Sequence, residues 1–327
     1  MAIGFLGTGS YLPDRVVTND EIAELVTDAT PEWVLAKTGI ATRRWAAPDE
    51  ATSDLAAGAA LRALDAARLT PGQIDYLIVS TSTGDFPQPP TACLVQDLIG
   101  ARNAACFDIN AVCAGFVYGV ELAHALTTAR PGTRALVVGA DVYSRILDLT
   151  DRRTAVLLGD GAGAAVVGEV PDGGILRVDL GSRGDAQDLI KVVAGGSRVP
   201  TSAATVAAGG HYFTMQGRGV RDFVLENVPK LVDELVTDLG LSVADVDCFV
   251  PHQANGVLLR ELAARCGLAD AHTHLVVDRY GNLGSASVPV ALDDAVTSGH
   301  VRPGDLVLLS AFGGGMSVGT GLVRWSG

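Results

Sequence analysis

Aromatic residues make up only 5% of this chain, basic residues are outnumbered, and cysteines are few and scattered. Each scarcity removes a class of function. With 24 Lys and Arg against 37 Asp and Glu, the net charge is −13. General nucleic-acid binding needs clustered Lys and Arg against phosphate, and so is excluded. A local basic patch for an acidic protein partner is not. The 5 cysteines are odd in number, widely spaced and without a C-x-x-C pair. That argues against a disulfide framework or a zinc site and fits a reducing cytosol. The stretch Met1 to Gly7 lacks a basic leader before a long apolar core, so no signal peptide is read. No apolar run reads as long enough to span a bilayer. The expectation is a soluble, cytoplasmic protein with no metal site.

What is abundant is small and apolar. The 327 residues are 48% hydrophobic and include 39 glycines, the composition of a compact α/β protein. Residues 3–9 read as a buried strand. Gly7-Thr8-Gly9 begins like a dinucleotide fingerprint, but the third glycine is missing and Pro13 blocks a helix. Asn19 reads as a helix N-cap, and Pro31 as the first residue of a helix carrying Trp33 and Lys37 on one face. Strands are predicted over 74–80, 104–108 and 134–140, and helices over 53–68, 91–99 and 115–128. Phe86-Pro87-Gln88-Pro89-Pro90 reads as a rigid loop, and Gly159 to Ala164 as a glycine-dense turn feeding a strand.

The second half repeats this order. Leu69–Asp75 matches Leu241–Asp247, Phe107-Asp108 matches Val277-Asp278, and Ala135–Ala140 matches Leu306–Ala311, all at nearly one offset. The chain reads as duplicated βαβ-rich halves, residues 1–171 and 172–327, joined near Pro171-Asp172-Gly173-Gly174. Ser202 to Gly210 reads as a flexible surface loop.

Four stretches could carry chemistry. Cys113 stands between an apolar strand and an apolar helix, among Ala and Gly. A helix start favours a thiolate there. His252, in Val250-Pro251-His252-Gln253-Ala254-Asn255, follows a strand, where α/β sheets place their ligands. Asn282, in Tyr280 to Ser287, occupies the counterpart of the cysteine turn. Phe312-Gly313-Gly314-Gly315 ends a strand, and glycine amides there could face a developing oxyanion.

Together and in this order these stretches are specific. The chain resembles the β-ketoacyl-acyl carrier protein synthase III family of the thiolase-like superfamily, from Gly7–Pro13 to Leu322–Trp325. The resemblance implies a layered α/β/α/β/α thiolase-like fold and a homodimer, with Phe86 to Pro90 closing the partner's acyl pocket. It implies that Cys113 takes an acyl group from an acyl-CoA or a carrier-bound acyl donor, and that His252 and Asn282 stabilise the enolate left when malonyl-ACP (acyl carrier protein) loses carbon dioxide. The amides of Cys113 and Gly314 would form the oxyanion hole, with Phe312 beside the thiol and no tightly bound cofactor. Trp33, Lys37, Arg152, Gly217 and Asn255 would line the substrate entrance. Lys37 and Val257 stand where many relatives carry arginine, which implies altered coenzyme A binding. Arg218, Arg221, Arg260 and Arg265 could replace the lost charge for an acidic carrier. Two other functions are weighed: an acyltransferase that moves the acyl group without condensation, which an altered asparagine would favour, and a non-catalytic partner subunit, against which Cys113 stands.

Overall fold

The structure, a computed structural model, describes residues 1–268 and 271–326. Strands β1 (Ala2–Tyr11), β2 (Tyr76–Ser80), β3 (Ala105–Ile109), β4 (Ala135–Val142) and β5 (Asp160–Val170) form one sheet, in the order β1-β5-β4-β2-β3. Strands β6 (Gly174–Gly181), β7 (Cys248–Pro251), β8 (His272–Thr273), β9 (Leu306–Gly313) and β10 (Ser317–Arg324) form another, in the order β6-β10-β9-β7-β8. The two sheets have one topology. In each, the central strand (β4 or β9) pairs parallel with β2 or β7 and antiparallel with β5 or β10. Both central strands are buried along their whole length, as their continuous apolar sequences require.

Helices α1 (Pro31–Thr38), α2 (Thr52–Ala66), α3 (Thr91–Ile99), α4 (Gly115–Ala129), α5 (Gly217–Asp238), α6 (Gly256–Arg265) and α7 (Ser287–Thr297) complete the layers. Helices α2 and α3 cover the outer face of the first sheet, and α5, with α6 against it, that of the second. Helices α4 and α7 lie between the sheets, so the order is α/β/α/β/α. Burial follows: one apolar cluster fills the middle layer and one lies under each outer layer. The start and end of the chain meet at the seam between the sheets. Phe5 and Trp325 pack at 5.7 Å between ring centroids, and Ser326 Oγ donates to the Phe5 carbonyl. A Cβ on Gly174 would touch the Ala2 side chain.

Five expectations are corrected. The glycine-dense stretch 160–164 is strand, not turn. Glycine serves it by letting α7 come close, since a Cβ on Gly163 would lie 2.6 Å from the Val290 nitrogen. The short helix Asn19–Leu25 is capped by Thr18, whose hydroxyl accepts from the Glu21 amide while its own amide donates to the Glu21 carboxylate in a capping box, and Asn19 is buried as the first helical residue. Ser202 likewise caps a short helix, Ala203–Ala207, in the segment read as loop. Val277-Asp278 is helical and does not match Phe107-Asp108; the edge strand equivalent to β3 is β8. Val112–Ala129 is long and apolar enough, by length and composition, to cross a membrane; here it forms α4 and the turn before it, packed between the sheets.

Candidate active site

The cysteine turn is strained and held. After β3, the Asn110 side-chain oxygen accepts from the Val112 amide at 3.2 Å. Val112 then adopts φ +49°, a left-handed conformation disfavoured for a β-branched residue. A single turn, Val112–Ala114, carries Cys113 into α4. The second half builds the same turn. The Asn282 oxygen accepts from Gly284 N at 2.9 Å, Gly284 has φ +58°, and the turn Gly284–Ala286 leads into α7. The counterpart of Asn110 is therefore Asn282, and that of Cys113 is Ser285.

The partners arrive on neighbouring backbone. Gly313, at the end of β9, lies against the cysteine turn so closely that a Cβ would sit 2.6 Å from the Cys113 nitrogen. Phe312 beside it meets His252 edge-on, with ring centroids 5.1 Å apart at 85°. His252 leaves β7 with its amide bonded to Ser310 of β9 at 2.7 Å. Asn282 is fixed by its amide to the Leu157 carbonyl and by its carbonyl to the Gly159 amide, each at 2.9 Å. Because Gly284 occupies the Asn282 oxygen, its NH2 group is the part of the side chain that remains able to donate, and Asn282 lines a cavity. The Ser285 turn reaches into the first half: Ser285 Oγ donates to Ser80 Oγ, at the end of β2, at 2.6 Å, and Gly115 must lack a side chain to clear Ser80.

Burial sets the charge states. The Cys113 thiol is pushed up to about 12, first by burial and then by the negative charge of Asp141. The helix start therefore does not yield a resting thiolate, as the sequence suggested; desolvation outweighs the dipole, and no cation offsets it. Burial pushes His252 down to about 3, so its imidazole is neutral, and its Nδ1 is buried without a partner. The resting pair is a thiol and a neutral imidazole.

The entrance gathers five sequence-predicted residues. Trp33, Lys37, Arg152, Gly217 and Asn255 line a cavity of about 320 Å³ that reaches Asn282. The Arg152 guanidinium lies over the Trp33 ring, 5.0 Å from its centroid. Lys37 and Val257 are exposed at the rim. Asn255 is spent structurally: its oxygen caps α6 at Val257 and Leu258, and its NH2 donates to the Lys37 carbonyl. Of the four arginines, Arg221 and Arg265 are both paired with Glu261, at 2.7 and 3.1 Å, which dilutes the suggested patch. A second cavity, about 630 Å³, opens beyond the thiol between Val112, Tyr143, Phe213 and Gly314.

Sequence reasoning missed three groups. Tyr143 is buried, hydrogen-bonds Ser82 Oγ at 2.8 Å and reaches the Cys113 thiol, whose ionisation it favours. Asp141 gathers Thr81, Ser82, Thr83 and the Ser285 amide, and so ties the two halves together. Burial raises its carboxyl while these donors lower it. An acid inside the apolar run 135–142 was the available signal. Arg43 is fully buried, bonded to Asn19 and the Val156 carbonyl, and steadies the segment that holds Asn282. Nothing in Thr42-Arg43-Arg44 marked it.

Residues 107–184 match the family model for 3-oxoacyl-[acyl-carrier-protein] synthase III, and residues 236–325 the model for its C-terminal part. The chain is 49% identical over 323 residues to the acetoacetyl CoA synthase NphT7 of Streptomyces sp. strain CL190, covering 98% of both chains. It is 44% identical to a β-ketoacyl-[acyl-carrier-protein] synthase III of Clostridioides difficile, covering 99% of this chain and 98% of that one. It superimposes on the solved synthase III of Thermus thermophilus with a TM-score of 0.90 and 40% identity, over 99% of each chain. The chain thus belongs to the 3-oxoacyl-[acyl-carrier-protein] synthase III family, condensing enzymes on the thiolase-like fold.

Proposed function

We propose that Cys113, His252 and Asn282 carry out an acyl transfer followed by a decarboxylative Claisen condensation that starts a fatty-acid or polyketide chain. The Cys113 sulfur attacks the thioester carbon of an acyl-CoA; coenzyme A leaves with the thiol proton. Because the resting thiol is protonated, that proton departs in concert with attack. The amides of Cys113 and Gly314 hold the oxyanion. A malonyl thioester then enters and loses carbon dioxide. Its electron pair forms an enolate whose oxygen accepts from neutral His252 and from the Asn282 NH2. The enolate carbon attacks the acyl-Cys113 carbonyl, the sulfur leaves as thiolate, and a solvent proton restores the thiol. Phe312, against His252, keeps water from the enolate. We propose that the enzyme is a soluble, cytoplasmic homodimer with Phe86 to Pro90 at the partner's pocket.

The observation that carries this reading is the pinned Asn282 side chain, whose oxygen is engaged by Gly284 so that its NH2 remains to donate, together with a His252 held neutral by burial. Intact mass after incubation with acetyl-CoA and a malonyl thioester tests it. Cys113→Ala is expected to form no acyl-enzyme. Asn282→Ala is expected to form it and stop there. Condensation by Asn282→Ala at the unchanged rate refutes the assignment, and acyl transfer without carbon dioxide release would favour the acyltransferase.

One observation bears on the extender's carrier. Arg221 and Arg265 are occupied by Glu261, and Val257 is apolar, so the rim is a poor dock for an acidic protein. A relative at 49% identity is named for a coenzyme A product. Malonyl-CoA is therefore a second extender beside malonyl-ACP; offering both at equal concentration measures the preference.

A further inference from the structure

Three histidines far from Cys113 in the chain come together at the edge of the second sheet. His272 and His274 flank the end of β8, and His300 follows α7. Their ligand nitrogens lie within 4.8 Å of one another. The His272 and His300 rings stack at 4.4 Å with only 5° between their planes. His272 Nε2 is 3.1 Å from His274 Nδ1.

The hydrogen bonds fix which atoms are available. His274 is buried, and its Nε2 meets Asp294 Oδ2 at 2.7 Å, so that nitrogen carries the proton. Its Nδ1 is therefore the acceptor nitrogen and faces His272 Nε2, whose proton an ion would displace. A carboxylate behind a histidine in this way orients metal-binding imidazoles and raises their basicity. Arg279 also holds Asp294, at 2.9 Å, which fixes the carboxylate from its other side. His300 Nδ1 is engaged by Ser298 Oγ at 2.7 Å, leaving Nε2 as its free nitrogen. Two Zn–N bonds of about 2.0–2.1 Å at a tetrahedral angle separate their nitrogens by roughly 3.3 Å, close to the 3.1 Å between His272 Nε2 and His274 Nδ1. His272 and His300 are exposed, so their rings can turn toward a shared ion and leave a fourth position to water.

We propose that His272, His274 and His300 form a binding site for a divalent first-row transition ion of the zinc class, with Asp294 orienting the buried ligand. The cysteine pattern gave no sign of it, because the ligands are all imidazoles. The site joins the edge strand to the end of α7. It also borders the active site's support, since the His274 carbonyl accepts from Gln253, the residue after His252.

The test is calorimetric titration of zinc chloride into chelator-treated protein that carries no histidine tag. One ion per chain is expected. His300→Ala and His272→Ala, both at exposed positions, are expected to weaken binding at least tenfold while melting like the wild type without metal. Asp294→Asn should weaken it by about 10- to 100-fold. Cys113→Ala should bind as the wild type does, which separates this site from the thiol and His252. Cobalt(II) absorption should show visible bands for a nitrogen-ligated ion in the wild type and not in His300→Ala. Absence of saturable binding, binding unchanged in both histidine variants, or binding lost with Cys113 overturns the proposal.

Discussion

At the scale of residues, depth decides chemistry. Cys113, His252 and Asn282, the residues proposed to act, were picked out in the sequence because each stands just past a strand or in its counterpart turn. Their charge states were not, because burial depends on what distant segments lay over them. The protonated thiol has a kinetic signature. Alkylation of Cys113 by uncharged iodoacetamide, followed by peptide mass, should rise about tenfold per pH unit from 7 to 10 without a plateau. A plateau near neutrality would mean that a cation lowers the thiol. Tyr143→Phe removes a hydrogen bond that favours the thiolate, and should slow alkylation and acylation roughly tenfold. His252 makes a separate prediction. A histidine ordinarily titrates near 6.5, and folding lowers this one to about 3. Between those values the unfolded chain takes up a proton that the folded chain refuses. Its contribution is therefore complete above about pH 6.5 and is lost as pH falls. From pH 7 to 5 the wild type should lose roughly 2 kcal/mol more than His252→Gln in urea denaturation.

At the scale of elements, most strands and helices were readable from apolar runs and caps, and the misses share a cause. The glycine stretch 160–164 resembles a turn locally, yet it is strand because α7 needs its bare backbone. Val277-Asp278 resembles a strand entrance, yet it is helical. The cysteine turn shows the same lesson: its left-handed position is Gly284 in one half and Val112 in the other. A residue held in such a region stores about 1–3 kcal/mol. Val112→Gly should release part of it, raising stability by about 1 kcal/mol after the entropy cost of glycine, while turnover falls as the thiol loses its fixed direction. Thermal melts and initial rates on one preparation check both. Lower stability would show that the packing of Val112 against Gly314 outweighs the strain.

At the scale of the whole molecule, the duplication was visible as three sequence matches, of which two align equivalent structure. The pairing of sheets was not, because it depends on strand order and not on residue type. Strands through Val170 build one sheet and strands from Gly174 the other, and we propose 1–171 and 172–327 as the two structural halves. The thiol comes from the first, and the histidine and asparagine from the second, so the proposed reaction falls at their junction. Because the chain's start, its end and the link at Gly173-Gly174 all meet at one seam, the order of the halves along the polypeptide carries no information that the site needs. A circular permutant that joins residue 326 to residue 2 through a short glycine linker, and opens between Asp172 and Gly173, should fold with Cys113 now following His252 and Asn282 in sequence. Its acyl-enzyme formation should match the wild type within about twofold, as expected where termini lie close together at the surface. The proposed set would then read His252, Asn282, Cys113, with the nucleophile last instead of first.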